Sequence, residues 1–194
     1  MTEKIHTPSL LKIVVIGPKA CGKSALASRI TLQPHLPDYQ STVGVDFLAK
    51  LFEEENVKFH LWDLSGDKRF YSIFSNYIKS AKVVIAVFDT SDPYSAEECS
   101  TFVRQQVREG VISKNQTIIV VGTNSDKPVK GFSGTNGKDI ALSLSAQYVH
   151  VSSKTGDGIE GLVDVLKKMA PIPPSPYLVI SHKESKEGKW CNIM

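Results

Sequence analysis

The apolar run LLKIVVIG at residues 10–17 breaks directly into PKACGKS at 18–24, and this junction constrains the chain more than any other stretch. A short, nearly continuous β-branched run ending in glycine reads as a buried strand. The eight residues GPKACGKS fit G-x-x-x-x-G-K-[ST] and open a helical pattern over 23–31. A strand, a glycine-rich turn and a helix N-terminus in that order form a cradle for phosphate oxygens. Gly17 and Gly22 let the backbone turn inward. The amides of Lys19, Ala20, Cys21, Gly22, Lys23, Ser24 and Ala25 are the candidate lining. Lys23 reaches the β and γ phosphates and is also a candidate catalytic group, and Ser24 is a candidate Mg²⁺ ligand.

The same strand-then-helix alternation continues. Strand patterns fall at 45–54, 57–63, 82–89, 117–123 and 147–153, and helical ones at 69–80, 95–110, 136–146 and 159–169. Runs 45–54 and 57–63 flank a short polar break and suit a hairpin. This order predicts an α/β fold, a mixed six-stranded sheet with helices on both faces. Ligands of such sheets bind in loops at the carboxyl ends of the strands. Residues 1–170 are expected to be one domain. PIPPSP at 171–176 resists regular structure, so 171–194 is expected to be a flexible tail.

Composition narrows the classes. The net charge of +3, with no Lys/Arg run of five, does not predict nucleic-acid binding. Three scattered cysteines, Cys21, Cys99 and Cys191, argue against a disulfide framework or a zinc site and for a reducing compartment. MTEKIHTPSL has no apolar core of a secretory signal, and Thr2 stands where myristoylation needs glycine. No apolar stretch is long enough to span a bilayer.

Two further segments flank predicted strands. VKFHLWD ends on Asp63, a carboxylate suited to holding Mg²⁺ through water. Gly66 stands at the fourth place of D-x-x-G, where its bare N–H can approach a γ-phosphate. Upstream, Thr42 in STVGVDF offers a hydroxyl to the same metal. Two loops ordered by one phosphate and one metal relax when that phosphate leaves.

In family order and spacing, GPKACGKS, Thr42, WDLSG, TNSD and VSSK resemble the Ras superfamily of small GTP-binding proteins over nearly the whole chain. TVGVDF, the tryptophan before Asp63 and RFYSIFSNYIKSAKVVIAVFD resemble the Rab branch. The resemblance implies a P-loop NTPase-type G domain that binds GTP or GDP with Mg²⁺. It implies that Asp126 reads guanine N1–H and N2–H₂, and that in the loop Ser152-Ser153-Lys154 the Ser153 amide binds O6 and the Lys154 stem covers the ring. His35 stands where an aromatic stacks on the base, and is either a stacking group or an exposed loop histidine. Asn124 replaces a family lysine whose stem covers the base, so guanine specificity with weaker affinity is expected.

The departures concern catalysis. Asp67 replaces the family glutamine that orients water, and a carboxylate there faces developing negative charge. Lys19 occupies a position that is usually small. The two either form a compensating pair or stay solvated and apart. CNIM at 191–194 fits a loose C-a-a-X box with Cys191 as the prenylation site.

The expected function is a guanine-nucleotide switch with slow hydrolysis. It would recruit effectors through its two switch loops and respond to an exchange factor and an activator. It would act as a monomer on the cytoplasmic face of a membrane, exchanging with cytosol, in vesicle trafficking or signalling. The alternative is a hydrolysis-deficient pseudo-GTPase that recruits partners. A P-loop kinase is a third class, and no acceptor-substrate site is evident for it.

Overall fold

A computed structural model describes residues 7–33, 41–126 and 137–171. The elements run β1 (Ser9–Ile16), α1 (Lys23–Ile30), β2 (Val45–Phe52), β3 (Val57–Leu64), a 3₁₀ turn (Lys68–Phe70) and α2 (Tyr71–Ser80). They continue with β4 (Val83–Asp89), α3 (Pro93–Arg108), β5 (Thr117–Thr123), α4 (Gly137–Ser143), β6 (Gln147–His150) and α5 (Ile159–Lys168). The six strands form one sheet in the order β2-β3-β1-β4-β5-β6. Only β2 and β3 pair antiparallel, Val45 opposite Leu64 through Phe52 opposite Val57, as the hairpin pattern predicts.

The alternation of β1 shows why its sequence is apolar almost throughout, Lys12 being the charged exception. Leu11, Ile13 and Val15 join a core with Leu26 and Ile30 of α1 and Leu162 and Leu166 of α5. Val14 and Ile16 join the opposite core with Phe74 and Ile78 of α2, Phe102 and Val103 of α3, and Ile140 of α4. Strands covered on both faces lose the polar alternation of half-exposed ones. The chain crosses from one side of β1 to the other between β3 and β4, so the loop after β1 lies at the carboxyl-end crevice.

Several boundaries differ from the sequence patterns. Helix α3 starts at Pro93, because Asp92 caps it by accepting from the Tyr94 amide at 3.0 Å and proline suits the first helical position. The segment before α2 begins as a 3₁₀ turn. Strand β2 ends at Phe52, where a turn with Asn56 at φ +52° leads into β3. Strand β6 stops at His150, before the Ser152 turn. At the end of α5, Lys167 bonds Glu55 of the β2–β3 turn at 2.7 Å and lies 4.6 Å above the Phe52 ring. Among the described residues no helix is long and apolar enough to cross a membrane.

Candidate functional site

The phosphate loop takes the shape its glycines demand. A methyl at Gly17 would collide with the Val87 carbonyl, and Gly22 sits at φ +88°. Ala20, at φ +61°, adopts the left-handed region without glycine's freedom. Helix α1 begins at Lys23 with no side-chain cap, so its first amides remain available to an anion. Lys23 is buried and folds back to donate to the Pro18 carbonyl at 2.6 Å. Lys19 is exposed at the rim. Cys21 is buried, its Sγ is 3.4 Å from the Val87 carbonyl, and burial pushes its thiol up to about 11.

Thr123 ties this loop to the sheet. Its hydroxyl lies 2.7 Å from the Cys21 carbonyl and 3.1 Å from that of Phe88. The side chain is 1% exposed, and Gly22 packs directly upon it.

Three candidate metal residues, from three separate segments, converge. Ser24 Oγ donates to Asp63 Oδ2 at 2.5 Å, Thr42 Oγ1 lies 2.9 Å from Ser24 Oγ, and Thr42 Oγ1 is 3.4 Å from Asp63 Oδ2. Burial pushes the Asp63 carboxyl up, against the lowering effect of Ser24 and Lys23. Asp63 Oδ1 is buried with no hydrogen-bond partner among the described residues. Such an orphan is costly unless something pairs with it. Two hydroxyls and one carboxylate fit the all-oxygen preference of Mg²⁺. The hydroxyl spacing also matches the edge of about 3 Å in an octahedral shell. Gly66 lies against the Lys19 backbone so closely that a methyl there would overlap it. The D-x-x-G loop and the phosphate loop are therefore in direct contact.

Of the two arrangements left open for Lys19 and Asp67, the compensating pair is not formed among the described residues. Asp67 is instead held by Arg69: Nη2 donates to Oδ2 at 2.7 Å, Nε donates to both carboxylate oxygens, and the Arg69 amide donates to Oδ1 at 3.0 Å. Asp67 is thus the cap of the 3₁₀ turn, an interaction a residue two places away makes more readily than one in another loop. These bonds hold its carboxyl down at about 2, with Lys19 contributing only as a weaker, more distant charge. Lys68 turns the other way and pairs with Glu98 of α3 at 2.9 Å.

The base-reading candidates gather at the ends of β5 and β6. Ser152 Oγ donates to Asp126 Oδ1 at 2.7 Å and accepts from the Thr155 amide. Asn124, at φ +58°, donates from Nδ2 to Asp89 Oδ2 at 2.6 Å. Ser153 is buried and Lys154 exposed. His35 and Cys191 lie outside the described residues. Arg29, Arg69 and Asp89 are not among the candidate site residues, yet each holds one that is.

A buried strand, a glycine-rich cradle and an oxygen-lined metal position at the carboxyl end of a doubly covered sheet define a phosphate-loop nucleotide-binding protein. The family model described as "Ras family" matches residues 12–170. The chain is 32% identical over 165 residues to the Ras-related protein RabC of Dictyostelium discoideum, covering 81% of this chain and 82% of that one. The chain belongs to the Ras family, as a Rab-like small GTPase. Proteins of this family bind GTP and GDP with Mg²⁺ and act as switches.

Proposed function

We propose that this protein is a guanine-nucleotide switch with slow intrinsic turnover, whose GTP-bound form recruits effectors at a membrane surface. The observation that carries this reading is the meeting of Ser24, Thr42 and Asp63 beside the Gly66–Lys19 contact. Through it, two loops sense one terminal phosphate. Lys23 and the amides of 19–25 bind the phosphates. Ser24 and Thr42 hold Mg²⁺, with Asp63 behind them, and the ion supplies charge neutralisation. Asp126 takes the guanine N1 and N2 edge, the Ser153 amide takes O6, and the Lys154 stem covers the ring.

Slow turnover follows from Asp67. Its carboxylate is committed to Arg69 and stays ionised, so it offers no amide to orient water. The same commitment favours the second reading, a pseudo-GTPase that binds nucleotide and recruits partners without useful hydrolysis.

An aromatic surface supports effector recruitment. Phe47 of β2 is 50% exposed, with its ring 5.5 Å from Trp62, and Tyr77 of α2 is 6.4 Å from Trp62. Exposed aromatics beside polar residues are typical anchors of protein contacts. The division into a nucleotide domain at 1–170 and a tail at 171–194, with Cys191 for prenylation, is part of this reading, and residues 172–194 lie outside the described residues. One prenyl chain gives reversible attachment.

The test is single-turnover phosphate release from protein loaded with γ-labelled GTP, with GTP, GDP and ATP affinities measured alongside. Slow conversion supports the switch, and its complete absence selects the pseudo-GTPase. ATP binding as tight as GTP binding refutes both. Cys191→Ser is expected to move the protein to the cytosol, and retained membrane association refutes the anchoring.

A further inference from the structure

Helix α1 begins at the phosphate loop and ends beside the base-reading loop. Arg29 lies six residues beyond Lys23, about 9 Å along the axis at helical rise. Its guanidinium leaves the last turn and spans to the loop after β6. Nε donates to the Ser153 carbonyl at 2.6 Å, and Nη2 donates to the Lys154 carbonyl at 3.0 Å. Two parallel bonds from a charged, planar fork fix orientation as well as position.

The amides of that loop divide in two. Those of Ser152, Thr155, Gly156 and Ile159 are paired. Those of Ser153 and Lys154, whose carbonyls Arg29 holds, make no hydrogen bond among the described residues. In a trans peptide the C=O and N–H point to opposite sides. Drawing the Ser153 carbonyl toward α1 therefore turns the Lys154 N–H away from α1. One residue earlier, Ser152 fixes Asp126. The loop thus holds the carboxylate of the β5 loop and carries an aimed, unpaired donor beside it.

We infer that Arg29 is a positioning residue for base choice, which aims the Lys154 amide at a purine O6 acceptor. This rests on the guanine reading proposed above. It separates two parts of base recognition: Asp126, held by Ser152, reads N1 and N2, while the Lys154 N–H, aimed by Arg29, adds to the Ser153 amide at O6. It also makes α1 a physical link between the phosphate and base sites.

Two analogues address the two parts. 6-Thioguanosine diphosphate replaces the O6 acceptor by a larger, weaker sulfur acceptor, and inosine diphosphate lacks the N2 amine. Binding of each, relative to GDP, is measured for the full chain and for Arg29→Ala and Arg29→Lys. The natural chain is expected to prefer GDP over the 6-thio analogue by about tenfold, the effect of one good hydrogen bond, and Arg29→Ala is expected to approach parity. Its preference over inosine diphosphate should hold within about twofold, because Asp126 keeps its partner. Arg29→Lys keeps the charge without the fork and should lose preference in the same selective way. It also serves where Arg29→Ala does not fold.

An unchanged 6-thio ratio in either variant overturns the inference, as does a parallel fall in both ratios. A natural chain that binds ADP as tightly as GDP overturns the guanine reading, and this inference with it.

Discussion

Replacing Thr123 by valine removes one hydroxyl from beneath the phosphate loop and puts a methyl in nearly the same volume. The hydroxyl hydrogen serves the Cys21 carbonyl at 2.7 Å more directly than that of Phe88 at 3.1 Å. Thr123 is 1% exposed, so water cannot take over as the donor. The change therefore orphans a buried carbonyl, at a cost of about 2 kcal/mol, while packing is nearly conserved. For a domain of this size that lowers the midpoint of thermal unfolding by about 4–8 °C. Bound nucleotide adds stability by mass action, so variants are compared at the same free GDP and Mg²⁺. Release of fluorescent GDP should accelerate, because the carbonyl belongs to the loop that cradles phosphate. Thr123→Ser keeps the donor and should retain most of the stability and the slow release. A valine variant as stable as the natural chain, or a serine variant that falls as far as valine, refutes the reasoning.

Asp67 gives a prediction about pH. Its carboxyl sits at about 2, so the Arg69 contact contributes fully above the ordinary carboxylate range and is lost only as pH falls toward that value. Asp67→Asn should thus leave the shape of the pH–rate profile for hydrolysis unchanged between about pH 5 and 8, and an inflection present only in the natural chain contradicts this. Asn124→Lys restores an apolar stem over the base and should slow GDP release about fivefold in stopped-flow measurements, with faster release as the refuting result. Gly66→Ala places a methyl on the Lys19 backbone. It should abolish any preference for GTP over GDP in equilibrium binding while GDP still binds, and an intact preference refutes the sensing role of that contact.

The sheet and the phosphate loop were legible in the sequence because both impose demands on residue type. Doubly covered strands require continuous apolar residues, and the loop requires glycine where Gly17 meets the Val87 carbonyl. Helix α3 starts two residues earlier than the helical pattern places it, although the cap signal Asp92-Pro93 is legible in the sequence. The partner of Asp67 was not legible, since a sequence gives no measure of whether Lys19 or Arg69 reaches it first. The 3₁₀ turn decides that by bringing the Arg69 amide and guanidinium to one carboxylate. Arg29 was illegible for a related reason. Its partners lie 124 and 125 residues away, and they are backbone carbonyls, which carry no side-chain signature.

The buried thiol of Cys21 gives the phosphate loop a built-in clock. Only a thiolate reacts quickly with alkylating reagents. With its thiol raised to about 11 and its side chain 1% exposed, Cys21 is shielded on both counts while the loop holds its shape. Cys99 is shielded more deeply still, in the opposite core. In a chain carrying Cys191→Ser, the first thiol to be labelled therefore times the opening of the cradle, and the second times the unfolding of the domain.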